Sequence, residues 1–162
     1  MNPATTAILE KRQATFDQFY KELIVTLVEF VERLGIEPSH EVLKHATQYA
    51  PYLGHALRNA PIVNEEERVR LLTRVAYFIG EYFAQKYGGC WCVNDIEGSK
   101  YFSHYVVGRF SRLSNASLMI APFEAAQVFV DTQPPRQLEE LLSEVDVALM
   151  ALNQSVPGEE DE

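Results

Sequence analysis

The sequence predicts an α+β fold, a mostly helical single domain with a small three-stranded antiparallel β-meander. Apolar residues recur every three to four positions over five separate segments, as they do in amphipathic helices. Between the third and fourth segments, short runs of bulky residues alternate with polar, glycine-containing connections, which favours strands that pair in sequence order. An all-helical bundle with an incidental hairpin is the alternative.

The stretch of residues 70–93 is predicted to be the centre of this fold. Asn64 and Glu67 form a capping box, so a helix begins directly after Asn64. Two adjacent apolar rows follow, and a helix that buries so wide an arc is covered on most sides. Gly80 lies in its middle, where glycine indicates that the backbone of another element approaches closely. The Gly-Gly pair that begins at Gly88 ends the helix. The narrow polar stripe of this helix consists of Arg70, Arg74, Tyr77, Glu81 and Gln85.

Two helices are predicted to precede this centre. A long amphipathic helix covers residues 4–34 and ends at Gly35. Ser39 caps the second helix, which Pro51 ends or kinks. Residues 51–63 contain further glycine and proline, so they predict a short helical turn and a loop.

The C-terminal half is predicted to contain the sheet and two helices. The strands cover residues 90–94, 101–110 and 118–120, in an antiparallel meander. Pro122 begins a helix that continues to about residue 130, and Pro134 interrupts the chain after it. The last amphipathic helix covers residues 136–152.

Composition predicts one globular domain, residues 1–152, followed by a disordered acidic tail, residues 153–162. The chain has 162 residues and a net charge of −9. Four of these charges come from residues 159–162, so the rest of the chain carries −5 and is still acidic. Nucleic acid and anionic membranes require clustered basic residues, so the charge argues against both as main partners and allows a basic protein partner.

The two cysteines predict a reducing compartment. Cys90 and Cys92 face the same side of a strand, where a bond between them would be strained. The N-terminal residues lack the pattern of a signal peptide, and no apolar run reaches membrane-spanning length. We therefore expect a cytoplasmic protein. With His104 on the next strand the cysteines could bind a metal, but core packing is the favoured interpretation, and no metal or cofactor is predicted.

Motifs for catalysis are missing from the sequence. His40 and Glu41 begin like a zinc-protease helix, but His45 comes one position too late. Ser103 lies in no nucleophile elbow. Glu81 is the best single acid candidate, with a salt bridge to Arg74 or Arg109 as the favoured alternative. No catalytic residue is assigned.

The candidate binding residues combine aromatic and acidic side chains. Aromatic residues between positions 77 and 105 are mostly core by their spacing, although a subset could line an open cleft. The hairpin loop and the polar stripe contribute acids that would steer a basic partner, or would only keep the surface solvated. The predicted binding residues are Glu81, Trp91, Asp95, Glu97, His104 and Tyr105.

Three strings within residues 80–138 carry a resemblance: GEYFAQKYGGCWCV, YVVGRF and APFEAA. Their order of helix, Gly-Gly, Trp-bearing strand, second strand and Pro-started helix resembles small bacterial protein families of unknown function. Some families of this kind are immunity proteins encoded beside secreted toxins. The resemblance implies a similar fold and a protein partner.

Three functions follow as hypotheses. The first is a cytoplasmic protein-binding domain, of immunity type, that neutralises a toxin partner. The second is a small enzyme that uses Glu81 or His104 in an aromatic cleft. The third is a structural subunit that forms a homo-oligomer through its long first helix. A neighbouring toxin gene favours the first, and a metabolic operon favours the second.

Overall fold

A computed structural model describes residues 2–154 and confirms the predicted fold class. This part of the chain contains five α-helices and a three-stranded antiparallel sheet, and α1 and α3 pack against the sheet. The elements are α1 (Pro3–Arg33), a 3₁₀ turn (Ser39–Glu41), α2 (Val42–Leu57), α3 (Glu65–Tyr87), β1 (Cys90–Val93), β2 (Tyr105–Gly108), β3 (Met119–Ile120), α4 (Pro122–Asp131) and α5 (Leu138–Gln154).

Helix α3 is the central element, as predicted. The Asn64 side chain accepts a hydrogen bond from the Glu67 N–H at 2.9 Å, and Gly88 ends the helix in the left-handed region at φ +67°. From residue 75 to residue 84 every position except Tyr82 is buried. The predicted polar stripe is therefore wrong in its C-terminal half, since Glu81 is buried where the pattern placed it at the surface.

Helix α1 covers one side of this core. Its stripe of Leu23, Leu27 and Val31 is fully buried, and Gly35 follows its C-terminus at φ +78°. Its first three turns are mainly exposed. They are nevertheless helical from Pro3, because the Asn2 side chain caps the N-terminus.

Helix α2 differs from its prediction. It begins at Val42 after the 3₁₀ turn, so Ser39 is not its cap, and it continues through Pro51 to Leu57. The break lies at His45 instead, where φ is −131° and ψ is 40°. The amide of Gln85 on α3 fills this break: it accepts from the Ala46 N–H at 2.8 Å and donates to the Val42 carbonyl at 2.9 Å. A side chain from another helix thus fixes the kink that the sequence assigned to proline.

The sheet has the predicted order β1-β2-β3 with shorter strands. Trp91 pairs with Val107, which also pairs with Ile120, so the middle strand is β2. The connection of residues 94–104 is a loop that the Asn94 side chain organises: it accepts from the Ile96 N–H at 3.0 Å and donates to Ser99 Oγ at 3.0 Å. These local bonds replace ladder pairing over the first part of the predicted second strand.

The last two helices complete the domain. Helix α4 packs across α3, and α5 contacts both α2 and α4. Helix α5 includes Asn153 and Gln154, so the predicted disordered tail is wrong for these two residues, and residues 155–162 lie outside the described part of the chain. Between residues 2 and 154, no helix is long and apolar enough to span a membrane.

Candidate functional site

The six predicted binding residues fall into three groups in the structure. Two are buried, two line a groove, and two lie exposed in the 94–104 loop. The groups are Glu81 with Trp91, His104 with Tyr105, and Asp95 with Glu97.

The buried pair lies at the junction of α3 and β1. Glu81 is 6% exposed and Trp91 is 4% exposed. The indole of Trp91 lies directly on Gly80, because a Cβ atom there would fall 1.9 Å from Trp91 Cζ2. The close approach predicted at Gly80 is therefore real, but an aromatic ring makes it and not a backbone.

The carboxyl group of Glu81 is buried, with the indole N–H of Trp91 as its polar neighbour. Burial raises its pKa to about 7, and the indole N–H of Trp91 opposes this by favouring the charged form. No cation among residues 2–154 forms an ion pair with Glu81, so the predicted salt bridge to Arg74 or Arg109 is wrong. The indole N–H also lacks a hydrogen bond of good geometry among these residues. Burial likewise raises the pKa of the neighbouring Tyr20, and the Glu81 charge raises it further.

His104 and Tyr105 line a groove of about 850 Å³ between the 94–104 loop, α3 and α4. We call it the loop groove. Its apolar surface comes from Tyr105, Phe123 and Val128, together with Leu72 of α3. A concave surface of this size with mixed aromatic and polar lining is typical of binding sites.

Aromatic contacts hold the wall of the loop groove in place. The Tyr105 ring stacks on Phe19 of α1 with centroids 3.8 Å apart, and the Tyr105 and Thr15 hydroxyls lie 2.9 Å apart. Phe123 contacts Trp91 and Tyr77 edge to face at 6.2 and 6.1 Å. The groove is therefore built on the same aromatic core that encloses Trp91.

Two ion pairs lie at the ends of α4 beside the groove. Asp131 accepts two hydrogen bonds from Arg68, at 2.7 and 2.8 Å, and this contact lowers the pKa of Asp131. Lys100 and Glu124 are 3.6 Å apart with side chains 79% and 48% exposed. Such an exposed pair is weak, so a competing cation can replace Lys100 at Glu124.

The remaining predicted residues are placed differently. Asp95 and Glu97 are exposed in the loop but do not line the groove. Cys90 is exposed, so its assignment to the core is wrong: Trp91 takes the side of β1 that faces the helices, and its neighbours face away. Cys92 is half-buried, and burial raises the pKa of its thiol. In residues 2–154, no group of three His, Cys, Asp or Glu side chains is arranged as metal ligands.

Sequence reasoning missed the contribution of α4 to the groove. Glu124, Val128 and Asp131 line it at spacings of four and three, which places them on one helical face. This spacing was visible in the sequence. What it did not reveal was that this face borders an open groove.

Comparisons with protein-family models, curated proteins and solved structures gave no match for this chain.

Proposed function

We propose that this protein is a binding domain that holds a basic segment of another protein in the loop groove. The observation that carries the proposal is the groove itself, which is lined by the exposed side chains of His104, Val128 and Glu124. Aromatic and aliphatic surface supplies the contact area, and a carboxylate supplies a partner for Lys or Arg.

The charge around the groove supports a basic partner. The adjacent loop adds Asp95 and Glu97, and the chain as a whole carries −9. Acidic groups near a docking surface raise the association rate of a cationic partner, and salt weakens this effect.

Binding is favoured over catalysis by the position of Glu81. Its carboxyl has a pKa near 7, which suits acid–base chemistry, but it does not line the loop groove. His104 lines the groove without Glu81 beside it.

The resemblance of residues 80–138 to immunity-type families suggests a particular partner. In this proposal the protein acts in the cytoplasm and neutralises a toxin encoded by an adjacent gene. The charge of a basic toxin domain would be complementary to that of this acidic chain, and such complementarity speeds the association of protein complexes.

The test is co-expression with the product of the adjacent gene in a bacterial host, followed by binding kinetics with the purified pair. We expect Gln127→Arg, which places a bulky cation in the groove, to weaken affinity about tenfold. Gln48→Arg is the matched control, since Gln48 is also exposed but lies on α2, outside the groove.

Asp95→Lys tests the steering role of the loop. We expect a slower association rate, with a smaller dependence on salt, and little change in dissociation. Glu41→Lys in the 3₁₀ turn controls for the change in net charge. The proposal is wrong if no protein encoded by an adjacent gene binds. It is also wrong if Gln127→Arg and Gln48→Arg change the affinity equally.

A further inference from the structure

A second groove continues from the loop groove between α4 and α5. It has a volume of about 370 Å³, and Ile120 of β3 is among the residues that line it. On the α4 side it is lined by Ala121, Ala125 and Val128, at spacings of four and three residues. We call it the α4–α5 groove.

The α5 side has the same helical spacing. Leu141, Val145, Ala148 and Leu152 form a continuous apolar face. From residue 141 to residue 152 the helix advances about 17 Å, or three turns. Both helices thus line the groove with apolar side chains, with alanines between larger residues, and an apolar groove of this kind is a surface into which a third helix packs.

The two grooves form one surface. Tyr101, Ala121, Glu124 and Val128 line both of them. Val128 lies at the junction and is 54% exposed, although it is a large aliphatic residue. An occupant that contacts Val128 therefore reaches both grooves.

The charge of α4 and α5 is entirely negative. Together the two helices carry six carboxylates and no Lys or Arg. Three carboxylates pair with cations of other elements: Glu124 with Lys100, Asp131 with Arg68, and Asp146 with Lys86. The other three, Glu139, Glu140 and Glu144, form no ion pair with residues 2–154. Glu144 lines the α4–α5 groove.

From this geometry we infer that the α4–α5 groove binds an amphipathic helix of the partner protein, with apolar side chains in the groove and basic side chains against Glu124 and Glu144. The inference rests on the proposed function and specifies the partner's structure. The apolar face of α5, about three turns long, defines the inner face of that helix. Glu144, which forms no ion pair within residues 2–154, and Glu124, whose pair with Lys100 is exposed and weak, define where its basic side chains lie.

Other occupants fit this surface less well. A second copy in a two-fold dimer would place the acidic α4 and α5 of each chain against each other. An anionic lipid surface would be repelled by the same carboxylates. The chain's own residues 155–162 include four acids and no base, so their charge does not complement the rim.

The test uses a synthetic probe, a leucine–lysine helical peptide of about 14 residues, or four turns, whose lysines lie on one face. Ala148→Lys should lower its affinity for the full-length protein about tenfold, because Ala148 is an exposed residue of α5 that lines the α4–α5 groove and not the loop groove. The matched control is Val147→Lys, because Val147 is also exposed on α5 but lies outside the groove. Both variants change the net charge equally, so nonspecific attraction falls equally in both.

The expected result is saturable binding that Ala148→Lys weakens about tenfold more than Val147→Lys does. Equal loss in both variants assigns the binding to general charge attraction and overturns the inference. Absence of saturable binding also overturns it. Self-association that Ala148→Lys abolishes, measured by sedimentation, would assign the α4–α5 groove to a second copy and overturn the inference as well. None of these outcomes decides the proposed function, which the Gln127 variant and the adjacent gene's product test separately.

Discussion

The substitution Glu81→Gln replaces a buried carboxyl group with an amide. It should stabilise the protein, and the gain should be larger at alkaline pH. The carboxyl is 6% exposed and forms no ion pair with residues 2–154. Ionisation therefore places an unpaired charge in the core, which is costly. Glutamine has nearly the same shape, and it removes the charge without opening a cavity.

The magnitude follows from the pKa. Glu81 has a pKa of about 7 in the folded protein and 4.5 as its reference value. Because the folded state holds this proton more tightly, stability falls as pH rises from about 4.5 to about 7, by about 1.4 kcal/mol per pH unit, and is constant above that range. The total loss is about 3 kcal/mol, and about 2 kcal/mol of it falls between pH values of about 5.5 and 8.

Urea unfolding followed by far-UV circular dichroism measures the effect. The gain in unfolding free energy from Glu81→Gln should be about 2 kcal/mol larger near pH 8 than near pH 5.5. Other carboxyl groups titrate in both proteins, so they cancel in the difference. Glu140→Gln, at an exposed position on α5, should change stability by less than about 0.5 kcal/mol at either pH. A gain in unfolding free energy from Glu81→Gln that is the same at both pH values would refute the burial of this carboxyl without an ion pair.

Two further substitutions test the packing of α3. Gly80→Ala should destabilise the protein by about 1–3 kcal/mol in thermal unfolding, because the alanine Cβ would overlap the Trp91 ring. This loss outweighs the better helix propensity of alanine. A stabilising effect would mean that the ring does not lie against Gly80. Gln85→Leu should lower the free energy of unfolding by about 1–3 kcal/mol, because it leaves the Ala46 N–H and the Val42 carbonyl without their partner. A loss of less than about 0.5 kcal/mol would show that the kink of α2 does not depend on Gln85.

The sequence predicted those features that depend on nearby residues. Asn64 and Gly88 set the ends of α3 through cap geometry, which involves only a few neighbouring positions. Pro51 misled the prediction of α2, since the break at His45 depends on Gln85, forty positions away along the chain. Helical periodicity also predicted that Glu81 lies on a polar stripe at the surface. Periodicity within one helix cannot show that a residue of another element, here Trp91, buries that position.

The candidate site was predicted only in part, for the same reason. His104 and Tyr105 were recognised from the aromatic strand, and both line the loop groove. The bidentate contact of Arg68 with Asp131 joins residues 63 positions apart and has no local signal. The prediction that Asp95 and Glu97 bind a partner is not tested by the structure.

Trp91 gives this molecule a built-in optical reporter. It is the single tryptophan of the chain, so emission excited at the indole band arises from one position. Its ring touches Phe123, which lines the loop groove, and its N–H lies beside the Glu81 carboxyl. Unlabelled protein can therefore show both events by intrinsic fluorescence: proton release from Glu81 as a change in quenching with pH, and displacement of Phe123 by a bound segment as a spectral shift at fixed pH.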